Sequence, residues 1–358
     1  MVLDLVLIGF GHVSRRFVQL LHEREDRLAR EEDLRVRVVG IATGRHGCLR
    51  APAGDGAVDV DRALACLAED RPLAAPASPD ACRDSFSLIA DAAAHSRAAA
   101  ERRLVVVEAT LLDIRQGQPA IDHVEAALAA GAHVVTSNKG PAAFAHRRLA
   151  EAARRAGRCF LFEGAVMDGI PVFNLVRETL PVTTITAFRG VVNSTTNHVL
   201  TAMEEGRAFG DALAEMQAAG IAEADPSLDI DGWDAAAKTT VLANVLMGGS
   251  LTPQEVARTG IAGVSRDDVR SAMARGCRIR LVASAVRRGD RIAATVAPAE
   301  LPERDLLAGL RGGENALAIE TDLLGELVLV QRASGLTQTA YALLADLVTI
   351  ARRLRMRS

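Results

Sequence analysis

The stretch VLDLVLIGFGHVS, residues 2–14, decides how the N-terminal part of the chain folds. Its first seven residues are apolar except for one acid, which is typical of a strand buried on both faces of a sheet. Gly9 and Gly11 follow as a glycine turn. An amphipathic helix comes next, with apolar residues at Phe17, Leu20, Leu21 and Leu28. A strand, a turn and a helix in this order predict the start of a βαβ unit.

The same alternation continues to about residue 145. Apolar runs predict strands at 36–42, 104–110 and 133–138, with helices between them, one of them at 119–130. Residues 44–84 are rich in Gly and Pro and predict an irregular surface excursion around one short helix. Alternating strands and helices of this kind predict an α/β fold with a parallel, doubly wound sheet.

Beyond about residue 160 the pattern changes to a second α/β unit. Three strands are predicted in 291–330, and a last helix is predicted from Thr339 to Arg353. We therefore expect a nucleotide-binding domain at 1–145, completed by a C-terminal helix at 335–358. A second domain at 146–334 carries catalysis and dimerisation in this interpretation.

Composition excludes several classes of protein. The chain has 358 residues, 49% of them apolar, and a formal charge of −3 without basic runs, which argues against a dedicated nucleic-acid binder. No run of eighteen apolar residues is present, so no membrane span is expected. The five cysteines are scattered and never form a CxxC pair. This pattern favours the reducing cytoplasm and excludes a cysteine-based zinc site.

The glycine turn can hold a pyrophosphate, because the first glycine permits the turn and the second lets the backbone approach phosphate at a helix N-terminus. Ser14 stands where a third glycine is usual. An ordinary tight turn is the alternative reading. The predicted cofactor-binding residues are Gly9, Phe10, Gly11, His12, Val13, Ser14, Arg45, Thr110 and Lys139.

Arg45 bears on the choice of cofactor. The second predicted strand ends in ATGRH, without the acid that binds a ribose 2′-hydroxyl in NAD-preferring folds. An arginine there favours NADP over NAD, with NAD still possible. The alternative is that Arg45 is a solvated loop charge.

Only two of the 42 basic residues are lysines, Lys139 and Lys238. Lysine can lose its proton at accessible pH, whereas arginine cannot. Asp234 and Lys238 are four residues apart on a predicted helix, and the same face continues into apolar or small residues. A pair that points inward in this way indicates a functional site. Glu223 and Asp229 precede this pair and could bind the ammonium group of a substrate. The alternative, an Asp-rich calcium loop, is disfavoured because the segment lacks the glycine and terminal Glu spacing of an EF-hand.

Nearly the whole chain resembles the homoserine dehydrogenases. The matching segments are GFGHVS (9–14), TSNKGP (136–141), FEGAVMDGIP (162–171), NSTTNHVLTAMEEG (193–206), AEADPSLDIDGWDAAAK (222–238), GGENALAIETD (312–322) and TAYALLADL (339–347). NKGP and the long string at 222–238 are the specific parts. The resemblance implies NAD(P)-dependent interconversion of L-homoserine and L-aspartate 4-semialdehyde, as in threonine and methionine biosynthesis.

The resemblance also implies roles for residues. Lys238 corresponds to the family's proton donor and acceptor, Lys139 to the lysine beside nicotinamide and substrate, and Asp234 to the carboxylate that orients Lys238. Substrate-binding positions correspond to Glu223, Asp229 and Thr195. A monovalent cation, usually sodium, is implied at Glu163 and the backbone carbonyls of Val166, Asp168 and Ile170. A homodimer without nucleic-acid or membrane partners is implied as well.

Four glycine-dependent sites of the family are altered here, at Ser14, Asp168, Ser194 and the turn from Gln331 to Gly335. Together they leave two alternatives open: a homologous dehydrogenase for a related small hydroxy-amino acid or aldehyde, and a non-catalytic NADP-binding regulator. A purely structural oligomer leaves the acid–lysine pair unexplained. The chain stops after the closing helix, so the regulatory ACT domain of longer members, with its threonine feedback, is not expected.

Overall fold

The structure is a computed structural model that describes residues 1–52, 56–75, 78–97, 102–218 and 225–356. Its chain contacts divide it into two units, one made of Met1–Gly169 with Gly335–Ser358 and the other of Ile170–Ser334. In the described ranges, no helix combines the length and apolar character needed to cross a bilayer.

The first unit is built around a seven-stranded sheet with the order β4-β3-β2-β1-β5-β6-β7. Its strands are β1 (Val2–Ile8), β2 (Arg35–Thr43), β3 (Gly47–Arg50), β4 (Ala81–Cys82), β5 (Arg102–Glu108), β6 (His133–Thr136) and β7 (Phe160–Leu161). Its helices are α1 (His12–Glu23), α2 (Glu25–Glu32), α3 (Val60–Ala68), α4 (Ser85–Arg97), α5 (Ala120–Ala129) and α6 (Lys139–Ala156), with a 3-10 turn at Glu163–Ala165 and a closing helix, Leu336–Arg355.

The doubly wound parallel sheet predicted from the sequence is present, because β1 pairs in parallel with β2 and β5, and β5, β6 and β7 continue in parallel. One edge differs from the expectation. The stretch 44–84 adds β3 and β4, both antiparallel, to β2, in place of a wholly irregular excursion. A short hairpin return allows antiparallel pairing where a parallel strand would need a full crossover.

Apolar side chains of the first strand and the first helix form the core of this unit. Leu3, Leu5 and Leu7 point to one face of β1 and pack with Phe17 of α1 and with the closing helix. The predicted single helix through Leu28 is instead two helices, interrupted at Arg24.

The second unit contains a six-stranded sheet with the order β13-β12-β8-β10-β11-β9. Its strands are β8 (Ile185–Val191), β9 (Ala257–Arg258), β10 (Cys277–Arg288), β11 (Arg291–Pro302), β12 (Asn315–Thr321) and β13 (Gly325–Gln331). Its helices are α7 (Val172–Thr179), α8 (Ser194–Glu204), α9 (Phe209–Ala218), α10 (Ser227–Ile230), α11 (Trp233–Leu246) and α12 (Arg266–Ala274), with 3-10 turns at Pro253–Glu255 and Leu306–Gly309.

Most strand pairs of this second sheet are antiparallel, including the long hairpin of β10 and β11. The helix α11 packs against that hairpin, and α8 starts three residues after β8 ends. The carboxyl end of β8 and the N-terminal parts of two helices thus meet in one region, which holds the polar groups described next.

Candidate active site

Lys238 lies in the middle of α11 with its side chain only 15% exposed, and the side chain of Asp234 is 16% exposed. Lys238 Nζ lies 3.0 Å from Asp234 Oδ2 and donates a hydrogen bond of 2.7 Å to the backbone carbonyl of Val192. Val241, one turn further along the predicted inward face, is fully buried. The carbonyl at the end of β8 and the carboxylate on the same helix therefore fix the ammonium group from two directions.

Asn193 joins the two carboxylates of this region. Its Nδ2 donates to Asp229 Oδ1 at 2.6 Å and to Asp234 Oδ2 at 2.9 Å. Its Oδ1 accepts from the backbone N–H of Thr196, which makes Asn193 the N-cap of α8. Because the cap holds the oxygen, the amide nitrogen is turned toward the carboxylates. Asn193 is not among the site residues predicted from the sequence, although an Asn at a strand end before a helix is a recognisable capping signal.

Asp229 lies on the short helix α10, and the pKa of its carboxyl is shifted by the surroundings. Burial raises the pKa of the Asp229 carboxyl above its ordinary value, and the negative charge of Asp234 adds to the rise. Hydrogen bonds from Asn193 and Thr195, and then the Lys238 charge, oppose this effect on the pKa. Thr195, a predicted substrate-binding residue, is buried in the first turn of α8. Glu223 lies outside the described residues.

Two carboxylates beside one ammonium group leave the region with an excess of negative charge. Such a site favours a cationic group of a small ligand, since a second cation relieves the repulsion between the acids. The lysine offers a proton that can move, held in a fixed direction. Binding an amino acid through its ammonium group, with proton exchange at another of its oxygens, is chemistry that this arrangement can perform.

The glycine turn follows β1 in the first unit. Gly9 has φ +86°, and a Cβ there would lie 2.5 Å from the carbonyl oxygen of Ala109, so only glycine fits. A Cβ on Gly11, the N-cap of α1, would project into open space. Ser14 is buried and donates 2.6 Å to the carbonyl of Gly9, so the residue at the third glycine position ties the turn together.

The other residues of this turn that were predicted to bind the cofactor lie directly beside Gly9 and Gly11 in the chain. Phe10 is buried, while His12 is exposed as the first residue of α1 and Val13 is half-buried behind it. The first N–H groups of a helix have no partner within it. Open space in front of Gly11 beside such N–H groups fits the pyrophosphate of a dinucleotide.

Arg45 does not stand as an isolated loop charge. Its side chain is 76% exposed, yet its Nη2 lies 2.6 Å from Asp70 Oδ2, and His46 Nε2 lies 2.9 Å from Asp70 Oδ1. The hydrogen bond from His46 lowers the pKa of Asp70. The strand end thus carries a basic residue and an acid side by side, and the acid comes from a position that the sequence pattern did not mark.

Lys139 and Thr110 follow neighbouring parallel strands. Lys139 is the first residue of α6, directly after its N-cap Asn138, and Thr110 follows β5. The Asn138 Nδ2 donates 3.0 Å to the carbonyl of Thr110, so the two loops are connected. Carboxyl ends of parallel strands in open α/β sheets are where such folds bind ligands.

The residues predicted for a cation lie around the end of the first unit. Glu163 is buried, and its backbone N–H donates 2.9 Å to Asp346 Oδ2. Val166 is buried and Asp168 has φ +48°. Ile170 is the first residue of the second unit, and its carbonyl accepts from the N–H of Val172. Of the described residues, no group of three or more His, Cys, Asp or Glu side chains is arranged to hold a metal ion. Backbone carbonyls with one carboxylate are a donor set that a hard cation accepts.

Side chains at the altered glycine positions bond within the protein. Asp168 Oδ1 accepts 2.8 Å from Thr339 Oγ1 in the closing helix. Ser194 Oγ lies 3.3 Å from Ser334 Oγ and accepts 2.9 Å from Asn315 Nδ2, which also reaches Gln331 Oε1 at 3.3 Å. Two of the substitutions, in α8 and in the turn after β13, therefore contact each other.

Comparison with known proteins identifies the family. The profile described as "Homoserine dehydrogenase, NAD binding domain" matches residues 9–163, and the "Homoserine dehydrogenase" profile matches residues 171–348. A Pseudomonas canavaninivorans protein named NAD(+)-dependent homoserine dehydrogenase is 35% identical over 361 residues, covering 97% of this chain and 95% of the relative. The chain belongs to the homoserine dehydrogenase family.

Other homoserine dehydrogenases agree with this assignment. The homoserine dehydrogenase of Methanocaldococcus jannaschii is 33% identical over 350 residues, and the alignment covers 97% of this chain and 98% of the relative. The crystal structure of a homoserine dehydrogenase from Thiobacillus denitrificans superposes with a TM-score of 0.80 at 31% identity, covering 98% of this chain and 74% of that one.

Membership makes the chain a homoserine dehydrogenase, an oxidoreductase that acts on a CH–OH group with a nicotinamide cofactor. The predicted family, fold class and activity are confirmed. Relatives aligned over nearly the full length favour this activity over the two alternatives that the altered glycine positions left open.

Proposed function

We propose that Lys238 is the acid–base residue through which this enzyme interconverts L-homoserine and L-aspartate 4-semialdehyde, with Asp234 orienting it. The observation that supports this role is the largely buried ammonium group held by Asp234 and by the carbonyl of Val192. The nicotinamide, when bound, takes or gives the hydride. Lys238 takes the hydroxyl proton as the alcohol is oxidised and returns it to the oxygen as the aldehyde is reduced.

Asp229 and Thr195 hold the substrate in this proposal. Asp229 pairs with the substrate ammonium group, and a cation there relieves the burial and the repulsion by Asp234 that raise the pKa of this carboxyl. Glu223 joins it as a second carboxylate. Lys139, at the start of α6, would contact the bound nicotinamide and stabilise negative charge that develops on the substrate oxygen.

Kinetics of a substitution pair test the role of α11. Lys238→Arg keeps the positive charge but holds its proton, so kcat falls about 10²–10⁴-fold, the usual contribution of general acid–base catalysis. Asp234→Asn lowers kcat as well, whereas Asp231→Asn, at an exposed acid in the same segment, leaves kcat unchanged. Wild-type turnover by a folded Lys238→Arg enzyme, with the cofactor still bound, would show a different acid–base group or a non-catalytic protein.

We propose NADP as the preferred cofactor, with NAD accepted, since the guanidinium of Arg45, 76% exposed just after β2, can bind a 2′-phosphate in place of Asp70. Asp70 beside it supports the second candidate, NAD, as does the name of the Pseudomonas canavaninivorans relative. The ratio of kcat/KM for NADP and NAD decides between them. Arg45→Ala lowers the ratio and Asp70→Asn raises it, because the first change removes attraction for the phosphate and the second removes repulsion. Equal ratios in wild type and both variants would contradict a role for this pair.

We propose further that a monovalent cation, sodium by preference, binds Glu163 together with the carbonyls of Val166, Asp168 and Ile170. The buried carboxylate and the backbone oxygens of this turn support the site. A cation that binds only the folded state raises the melting temperature, and above its Kd the rise grows with the logarithm of the cation concentration. Sodium or potassium chloride should raise it more than choline chloride, and Glu163→Gln should abolish the difference.

The functional division of the chain is also a proposal. Residues 1–145 with 335–358 bind the dinucleotide, and 146–334 carry catalysis and the contacts of a homodimer in the cytoplasm. Five free cysteines suit that compartment. Sedimentation equilibrium of the purified enzyme tests the dimer, and a mass of 37.9 kDa at all concentrations would refute it.

A further inference from the structure

Glu108 is a buried carboxylate that the proposed chemistry does not use. It is the last residue of β5 and is 0% exposed, after the apolar run Val105–Val107. His123 Nδ1 lies 3.7 Å from its Oε1, which is beyond hydrogen-bond distance. Burying a carboxylate without a hydrogen-bonded cation costs stability, and an apolar residue would be the stable choice at such a strand end. Its presence therefore calls for another reason.

The carboxylate connects the loops that follow two neighbouring parallel strands. Oε1 accepts hydrogen bonds from the N–H and the hydroxyl of Thr110, with the N–H at 3.2 Å. Oε2 accepts from Thr136 Oγ1 at 3.1 Å. Each bond has Glu108 as the acceptor, so an ionised carboxylate satisfies all of them at once. One side chain thus holds the end of β5 and the end of β6 together.

From Thr136 the connection continues to the helix that carries Lys139. Thr136 Oγ1 accepts 2.9 Å from the backbone N–H of Asn138. Asn138 Oδ1 in turn caps α6 by accepting 2.8 Å from the N–H of Gly140. Asn138 Nδ2 donates back to the carbonyls of Thr110 and Leu111, at 3.0 and 3.2 Å. The backbone on both sides of Lys139 is fixed by this closed set of bonds.

We propose that Glu108 is a positioning residue for Lys139, acting through Thr136 and Asn138. The inference rests on the proposed role of Lys139 beside the nicotinamide. Weakening the carboxylate loosens the cap of α6 and with it the direction of the Lys139 side chain. Small displacements of a catalytic group lower the rate of the chemical step more than they lower substrate affinity.

The first measurement is the split between kcat and KM. Glu108→Gln lowers kcat about tenfold, while the KM for homoserine, set by the carboxylates of the second unit, stays within about twofold. Thr136→Val removes the relaying hydroxyl and gives a similar loss, and Thr136→Ser, which keeps the hydroxyl, restores the rate. The double variant Glu108→Gln/Thr136→Val is no slower than the worse single variant, because both changes break one chain of bonds.

Asp4 provides the matched control. It is a buried carboxylate in the neighbouring strand β1, four residues before the Ile8 that pairs with Glu108, and it is bonded to Arg37 and Ser96. Asp4→Asn lowers the melting temperature but leaves kcat unchanged. A kcat loss in Asp4→Asn equal to that in Glu108→Gln would reduce Glu108 to a stability residue and overturn the proposal.

Lys139→Met distinguishes a failure of the positioning role of Glu108 from a failure of the proposed role of Lys139. If it abolishes turnover while folded Glu108→Gln and Thr136→Val keep wild-type kcat, the positioning role is wrong and the proposed role of Lys139 stands. If Lys139→Met keeps wild-type turnover, the role of Lys139 is wrong and the inference falls with it. Should Glu108→Gln fail to fold, the comparison of Thr136→Val with Thr136→Ser gives the same decision.

Discussion

Replacing Asp229 by Asn should stabilise the ligand-free enzyme while it destroys substrate binding. The change removes one negative charge and keeps the shape of the side chain. Because the pKa of Asp229 is raised by burial and by Asp234, the fold favours its protonated form. The ionised group therefore costs stability at neutral pH, and a neutral isostere removes that cost.

Geometry sets the size of the effect. The Asp229 and Asp234 oxygens that accept from Asn193 Nδ2 do so at 2.6 and 2.9 Å, which places them no more than about 5.5 Å apart. At an effective dielectric constant of about 20, their repulsion is roughly 3 kcal/mol. Hydrogen bonds from Asn193 and Thr195 to Asp229, and then the Lys238 charge, offset part of this repulsion. We expect a net gain of about 1 kcal/mol, or a rise in melting temperature of roughly 1–2 °C for a chain of 358 residues.

The pH dependence gives the sign of the effect independently. With a raised folded-state pKa, the cost of ionised Asp229 is absent below the unfolded value of about 3.9 and grows as the pH rises through the folded value. The advantage of Asp229→Asn should thus be present at pH 7 and vanish toward pH 4.

Thermal and urea unfolding from pH 4 to 8 measure this dependence, together with the KM for homoserine. Asp225→Asn is the control, since hydrogen bonds from Ser227 lower the pKa of that exposed carboxyl and its neutralisation brings no gain. A loss of stability in Asp229→Asn at pH 7 would refute the reasoning.

Four further variants test side chains and glycines that support the two units. Gly9→Ala should lower the free energy of unfolding in urea by about 2 kcal/mol or more, because Gly9 has a left-handed φ and a Cβ there would lie 2.5 Å from a carbonyl oxygen. Gly11→Ala should fold normally, because its Cβ would project into open space. It should weaken cofactor binding, measured by nicotinamide fluorescence. Ser14→Ala should cost about 1 kcal/mol in urea unfolding by removing the 2.6 Å bond to Gly9, and an unchanged midpoint would contradict this. Glu204→Ala should lower the free energy of unfolding by about 3–5 kcal/mol, because it leaves the fully buried Arg280 without its carboxylate. Calorimetry measures this loss, and a loss smaller than that of Ser14→Ala would be inconsistent with a buried ion pair.

Local patterns in the sequence determined much of the fold and part of the site. The apolar run before Gly9 predicts β1 with the same bounds, since continuous burial on two faces needs no polar residue. Asp234 and Lys238 share a helix face because four residues are close to one turn, and their inward direction follows from the small and apolar residues beyond them. Such features depend on neighbours within one element.

Contacts between distant segments were decided only by the tertiary structure. Asn193 bonds to carboxylates 36 and 41 residues away, and Lys238 to a backbone carbonyl 46 residues away. A carbonyl is part of every residue, so no sequence pattern can mark the one at Val192. Asp70 likewise reaches Arg45 across 25 residues and changes the interpretation of that strand end.

The edge strands β3 and β4 are parts of the fold that the sequence pattern did not predict. Each is too short to give a period in the sequence, and their antiparallel pairing depends on which strand lies beside them. The sequence by itself determined which residues carry charge and which helix faces turn inward. Only the folding of separate strands to a common edge brought Glu108, Thr136 and the start of α6 together, because hydrogen bonds depend on distance in space and not on separation along the chain.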